Sequence, residues 1–206
     1  MHPNPIYRST PEMKALAFAA ERGFGTLMVN GPDGPLAAHV PFVLSEDSKT
    51  AEMHLVRSNP VARALAAPAP ALLSIMGPDS YVSSDWYGLA DQVPTWNYLG
   101  VHLRGRLELL PQEALRPHLD RLSAEFERRL LPKKPWTADK MPDEVLDRLM
   151  RMIVPCRLVI TDVQSTWKLG QNKPADARNR AADQMATVGI GQETAALAKL
   201  MRAVQS

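Results

Sequence analysis

Residues 101–109, VHLRGRLEL, alternate strictly: His102, Arg104, Arg106 and Glu108 point one way from an extended chain, and Val101, Leu103, Leu107 and Leu109 the other. A two-residue period of this kind reads as a strand with one face in a core and one face wet or against a partner. Other segments repeat the signature. GTLMV after Phe24 and the longer PLAAHVPFVL are joined by the turn sequence NGPDG, and Leu36, Ala38, Val40, Phe42 and Leu44 share one face of the second, so the pair reads as a hairpin. Pro41 cannot donate to a ladder, which predicts an edge strand or a bulge at that point. EMHLVRSN, PALLSIMGP and CRLVITDVQSTWKL supply further strands.

Helical spacing fills the remainder. Thr10 as N-cap, Pro11 in the first turn and Gly23 as a stop bound one helix, with Met13, Leu16, Ala17 and Ala20 as its apolar stripe. PVARALAA follows Ser58-Asn59-Pro60. Leu115, Leu119, Leu122, Phe126 and Leu130 mark a longer helix that Pro117 starts near Arg116. DEVLDRLMRMI follows the Pro-rich LPKKPWTADKMP, and Leu197, Leu200, Met201 and Val204 line one face of the tail. Strands gathered before and after a helical insert predict a mainly β (α+β) fold, a β-barrel decorated with peripheral helices rather than alternating βα units. The expected layout is one domain, with barrel strands in 24–110 and 156–169, a helical insert at 111–155 and C-terminal helices at 174–206.

Composition removes several function classes. A formal charge of +2 is too small to build the basic face of a nucleic-acid-binding protein. One cysteine, Cys156, permits neither an intrachain disulfide nor a thiolate metal cluster, fits a reducing compartment, and reads as a buried structural thiol. The start MHPNPIYRST lacks the pattern of a signal peptide, and no stretch approaches eighteen uncharged apolar residues, so a soluble cytoplasmic chain without a membrane partner is expected. Dinucleotide fingerprint, P-loop and nucleophile elbow are all missing. His39, His54 and His102 lie on different expected strands, and ordinary wall histidines are the default over a metal site.

Three clusters carry candidate chemistry. SYVSSDWYGLADQVPTWNY, residues 80–98, holds Tyr81, Trp86, Tyr87, Trp96 and Tyr98, although the whole chain has four Trp, four Tyr and four Phe. Glycine and proline interrupt the stretch, so part of it is a loop, where rings are harder to bury. Arg57-Ser58-Asn59, ending a strand before a helix, suits a phosphate monoester, with a helix cap plus a surface arginine as the equal alternative. Trp167-Lys168 with Gln171-Asn172 is a polar cluster at a strand end, or a plain turn. Flat apolar surface, two cations and amides together suit a planar heterocycle bearing a phosphate.

HVPF at 39–42, HLVRSNP at 54–60, SYVSSDWY at 80–87, VPTWNY at 93–98 and KLGQNK at 168–173 closely resemble the PaiB family, FMN-binding negative transcriptional regulators of the pyridoxamine-phosphate-oxidase-like split-barrel group. The resemblance runs in order from about Phe24 to Lys173. It implies a homodimer of split β-barrels with FMN at the subunit interface. It places Arg57, Ser58 and Asn59 near the FMN phosphate, and the backbone of His39, Val40 and Pro41 against the flavin ring. Trp86, Tyr87, Thr95, Trp96 and Asn97 would line the cleft, and Trp167, Lys168, Gln171 and Asn172 would reach in from the partner subunit. The rings of residues 80–98 would then wall a flavin and pack a dimer interface. Gly170 stands where the family commonly has serine, and GLADQ sits in the loop before Trp96; both departures are expected to lower FMN affinity. The function implied is flavin-dependent regulation, with electron transfer from a reduced nicotinamide or other small reductant and no catalytic side chain of its own. A direct DNA-binding repressor and a haem protein using His39, His54 or His102 as axial ligand are the alternatives.

Overall fold

Gly31 and Gly34 face each other across a two-residue turn of Pro32 and Asp33, and the flanking strands β1 (Phe24–Gly31) and β2 (Gly34–Leu44) run antiparallel from there to the pair Phe24–Pro41. The protein is described here by a computed structural model, in which residues 1–204 are described. The Phe42 N–H donates to the Gly23 carbonyl at 2.9 Å. Even-numbered residues of β2 therefore bond to β1, and odd-numbered ones turn their N–H and C=O the other way.

That other side belongs to β3 (Thr50–Val56), which pairs with β2 through Phe42–Met53, Val43–Glu52 and Leu44–Ala51. The next bonded rung would need an N–H from residue 41, a proline, and the ladder stops. Pro41 thus ends one ladder while the other continues past it, which gives the expected edge along part of a strand that is paired elsewhere on both sides.

The remaining strands are β4 (Ala69–Val82), β5 (Thr95–Leu109) and β6 (Ile153–Lys168). β6 pairs with β3 from Thr50–Val159 to Val56–Ile153, and β4 pairs with β1 from Thr26–Ser74 to Val29–Ala71, both antiparallel. The strand order is β1-β2-β3-β6-β5-β4, closing as β4 returns to β1.

The expected fold class needs correcting in its balance of helix and strand. Helices α1 (Glu12–Arg22), α2 (Pro60–Ala64), α3 (Leu115–Glu127), α4 (Asp143–Met150), α5 (Ala175–Val188) and α6 (Thr194–Arg202), with short 3-10 turns, hold about as many residues as the strands. The fold is therefore mixed α/β, a six-stranded antiparallel sheet with peripheral helices, and not mainly β. The six strands follow one another in a single continuous order that closes on itself. The physical reason for the helical share is that the helices bury apolar faces of their own: Leu115 and Leu122 on α3, Ala177, Ala181 and Met185 on α5, Leu197 and Met201 on α6.

The described residues fall into two compact units. One comprises Leu16–Ile75 and His102–Val163, with a core that includes Leu27, Phe42, Met53, Leu73, Ile75, Leu103, Leu107 and Leu158. The other comprises Met1–Ala15, Met76–Val101 and the residues from Gln164 on, and buries Tyr87, Leu99, Val101, Met185, Leu197 and Met201. In this second unit Arg178, 3% exposed, donates to the carbonyls of Met201, Lys173 and Val204. A cation thus sits at the end of α6, the terminus where a helix favours positive charge. Helix α1 departs from expectation in its face: Ala15, Leu16 and Ala19 are buried while Met13 is 74% exposed. Small side chains, which carry little weight in a hydrophobic stripe, form the contact. No helix among the described residues is long and apolar enough to cross a membrane.

Two glycines of β5 differ sharply. A Cβ on Gly105 would lie 1.9 Å from the Val159 carbonyl oxygen on β6, whereas one on Gly100 would meet nothing nearer than Tyr98 Cε2 at 4.0 Å. Gly105→Ala is expected to cost about 3 kcal/mol or to prevent folding, because a backbone cannot step aside as a side chain can. Gly100→Ala should change stability by about 0.5 kcal/mol or less. Urea unfolding of the two variants checks the contrast.

Candidate functional site

Of the residues expected at a site, His39, Val40, Pro41, Arg57, Ser58 and Asn59 lie in the unit built on β1–β3. The odd positions Ala37 and His39 turn their backbone N–H and C=O away from β1, along the stretch that the β3 ladder does not reach among the described residues. The His39 ring is held on the strand, with Nδ1 3.1 Å from Thr26 Oγ1 and its face stacked on Phe24 at 6.4 Å.

Arg57 is anchored beyond the end of β3. Its Nε donates to the Arg151 carbonyl at 3.1 Å, and Nη2 donates to Gln112 Oε1 at 3.0 Å and to the Ile153 carbonyl at 3.3 Å. Nη1 has no protein acceptor among the described residues. Asn59 follows the cap alternative, because its Oδ1 accepts from the Val61 N–H at 2.9 Å and starts α2. Ser58 is exposed.

Trp86, Tyr87, Thr95, Trp96, Asn97, Trp167, Lys168, Gln171 and Asn172 lie in the second unit. Several are brought together there. Lys168 Nζ donates to Thr95 Oγ1 and sits 6.0 Å above the Tyr7 ring, which His2 contacts edge-on at 4.7 Å. Burial pushes the Lys168 ammonium below its ordinary value. Burial also raises the Tyr87 phenol; a hydrogen bond with Asn97 partly offsets this, and nearby Tyr7 adds to the rise.

The rest divide by exposure. Trp96 is 47% exposed and meets Tyr81 edge-on at 6.3 Å, so this pair faces outward. Tyr87, Asn97 and Trp167 are buried and Trp86 half-buried, so they support the surface more than they form it. Gln171 is occupied by its own turn, accepting from the Leu169 N–H at 2.8 Å and donating to the Trp167 carbonyl. The Lys173 N–H donates to the Gly170 carbonyl at 3.0 Å, and Asn172 is exposed on the turn so closed. Gly170 has φ +78°, so glycine there answers to the backbone.

Sequence reasoning missed several participants. Tyr7 sits in a Pro-rich start with little periodicity and Lys14 on the polar side of the expected first helix, yet Tyr7 is buried and Lys14 Nζ lies 4.8 Å above the Trp167 ring. His118 was hidden in an expected helix face of leucines. It is 1% exposed, with Nε2 3.1 Å from His54 Nδ1 and Nδ1 3.9 Å from Glu52 Oε2. Burial first, then His54 and Arg121, push His118 down to about 4.

No group of three metal-capable side chains that could hold an ion occurs among the described residues. Cys156 is buried and pushed up to about 12 by that burial, which keeps it a thiol. The basic run on and after α3 is largely neutralised, as Arg128 and Arg129 both pair with Glu125 and Lys133 with Glu127.

Comparison with known proteins gives a consistent answer. Residues 1–162 match the family model described as "Putative FMN-binding domain". The chain is 31% identical over 158 residues to the Protease synthase and sporulation protein PAI 2 of Bacillus subtilis (strain 168), covering 76% of this chain and 75% of that one. A FAD and heme binding protein from Mycobacterium smegmatis shares the fold at a TM-score of 0.58 and 21% identity, over 90% of this chain and 82% of its own. So does the flavocytochrome Anf3 from Azotobacter vinelandii, at 0.50 and 16%, over 76% and 67%. The chain belongs to the PaiB-like family of FMN-binding domains, and FMN is the cofactor that membership assigns to it. The family match ends before Trp167, Lys168, Gln171 and Asn172.

Two outcomes test the local geometry. An unfolded histidine takes up its proton near 6.5, whereas folded His118 does so only near 4, so its contribution to stability is full above 6.5 and declines as pH falls toward 4. Urea midpoints measured from pH 7.5 to 4.5 should drop, and the drop should shrink in His118→Gln. Gly170→Ser should cost about 1 kcal/mol through its left-handed backbone, read as a lowered thermal midpoint.

Proposed function

We propose that the chain works as an FMN-binding homodimer of the negative transcriptional regulator type, acting indirectly through the state of its flavin and accepting electrons from a reduced nicotinamide. The observation that carries this reading is the match of residues 1–162 to the FMN-binding family. The residues of the β1–β3 unit fit such a ligand in two respects. The outward N–H and C=O groups at Ala37 and His39 are a donor–acceptor edge of the kind a flavin pyrimidine ring pairs with, and Arg57 keeps one guanidinium nitrogen for a phosphate oxygen. Asn59 and Gln171 fit less well as direct ligands, since each is committed to its own cap or turn. The outward pair Trp96 and Tyr81 has the amphipathic character of a partner-facing surface.

When bound, the flavin supplies hydride acceptance and electron release. The protein's part is orientation, exclusion of water and placement of charge. Neutralisation of the basic run by Glu125 and Glu127 favours indirect over direct action on DNA. Hydrogen bonding of His39 to Thr26 and of His54 to His118 likewise disfavours either as a haem ligand.

Titration of the purified protein with FMN, followed by visible absorption, should give a bound flavin spectrum. Arg57→Ala should weaken FMN by at least about tenfold while leaving riboflavin nearly unchanged, because one charge-assisted hydrogen bond contributes about 1.5–3 kcal/mol. Equal losses for both ligands would place the phosphate elsewhere. A Soret band on haem addition, with no flavin uptake, would sink the reading.

A further inference from the structure

Cations in the unit that holds Met76–Val101 and the residues from Gln164 on are satisfied in two different ways. Its helical arginines find acids or carbonyls: Arg180 pairs with Asp176 at 2.8 Å, Arg202 with Asp183 at 2.6 Å, and Arg178 donates to three carbonyls. Lys168 and Lys173 find neither a carboxylate nor a cap. Lys168 Nζ donates to Thr95 Oγ1 and lies over the Tyr7 ring. Lys173 Nζ donates to Gln92 Oε1 and lies 5.4 Å from the centre of the Tyr87 ring. Among the described residues no acid lies within ion-pair distance of either ammonium.

The two lysines belong to one cluster. Tyr87 is hydrogen-bonded to Asn97, and Asn97 shares a face of β5 with Thr95, the partner of Lys168. Both lysines are half-buried. A half-buried ammonium with neutral partners lies in surroundings where a second charge is felt more strongly than in water. The aspartates of this unit that do make ion pairs are spent on arginines of the helices, so among the described residues no ion pair compensates the positive charge beside the tyrosines. Two such ammoniums flanked by a threonine hydroxyl and two rings match a dianion better than a single carboxylate.

We infer that Lys168 and Lys173, with Thr95 and Gln92 beside them and Tyr7 and Tyr87 beneath, form a binding site for the phosphate group of a small molecule. Both lysines lie beyond the family match, while Tyr7, Tyr87, Gln92 and Thr95 lie within it. The phosphate belongs either to a second, phosphorylated ligand or to the cofactor itself.

Inorganic pyrophosphate is the probe, titrated calorimetrically into the full chain. Saturable binding is expected, weakened at least tenfold in the double variant K168Q/K173Q and retained in K199Q, which removes an exposed charge from α6. K168R/K173R keeps both charges and should still bind, so a loss in the glutamine pair is not mistaken for unfolding. No saturable binding by the unaltered protein, equal affinity in the glutamine pair, or loss in the arginine pair overturns the inference. FMN uptake, followed in parallel by visible absorption, separates the sources. Unchanged uptake by K168Q/K173Q assigns the phosphate to a second ligand. Lost uptake, with Arg57→Ala unaffected, assigns it to FMN and overturns the Arg57 assignment instead.

Discussion

The backbone N–H that Pro41 lacks decides where β2 has two neighbours and where it has one. Even residues of β2 are committed to β1 throughout, as the Phe42–Gly23 bond shows, so β3 can take only the odd ones. With residue 41 unable to donate, β3 pairs for three residue pairs and leaves β2, while its own far side continues along β6 for seven. A six-stranded sheet can thus close in strand order and still carry a backbone edge on its second strand. The cost is small because the proline sits at the last position where the β1 ladder needs nothing from it.

Much of this was legible in the sequence where a single period dominated. VHLRGRLEL lies within β5, NGPDG became the two-residue turn, and Pro41 marked a change of pairing. Legibility failed where small or polar side chains did the packing. The buried face of α1 is made of Ala15, Leu16 and Ala19, and that of α3 includes His118, so a search for large apolar residues misplaces the first and overlooks the second. The weight of helix in the fold was underestimated for the same reason, as α5 buries mainly alanines.

The candidate site was read less completely than the fold. Some of the motif residues come together within the chain, since Thr95 meets Lys168 and Tyr87 meets Asn97. The motifs did not distinguish a side chain that faces outward from one used in a cap or turn. Asn59 and Gln171 belong to the latter kind, and only coordinates reveal it, because the same amide suits either task. Tyr7 was beyond reach of local reasoning: its partners are Lys168 and His2, and nothing in the Pro-rich start announces a ring that will be buried.

Arg178 gives the C-terminal helices a meaning that their position as a tail conceals. Its guanidinium is buried with carbonyl oxygens as its hydrogen-bond acceptors, two of them at the end of α6 and one at the turn before α5. Were α6 to lift away, the arginine would lose most of those acceptors while still enclosed, a state costlier than either the docked or the fully unfolded one. Partial detachment is therefore penalised at an intermediate stage, and the last helix should come and go with its unit as a whole, giving the end of the chain the cooperativity of a core element.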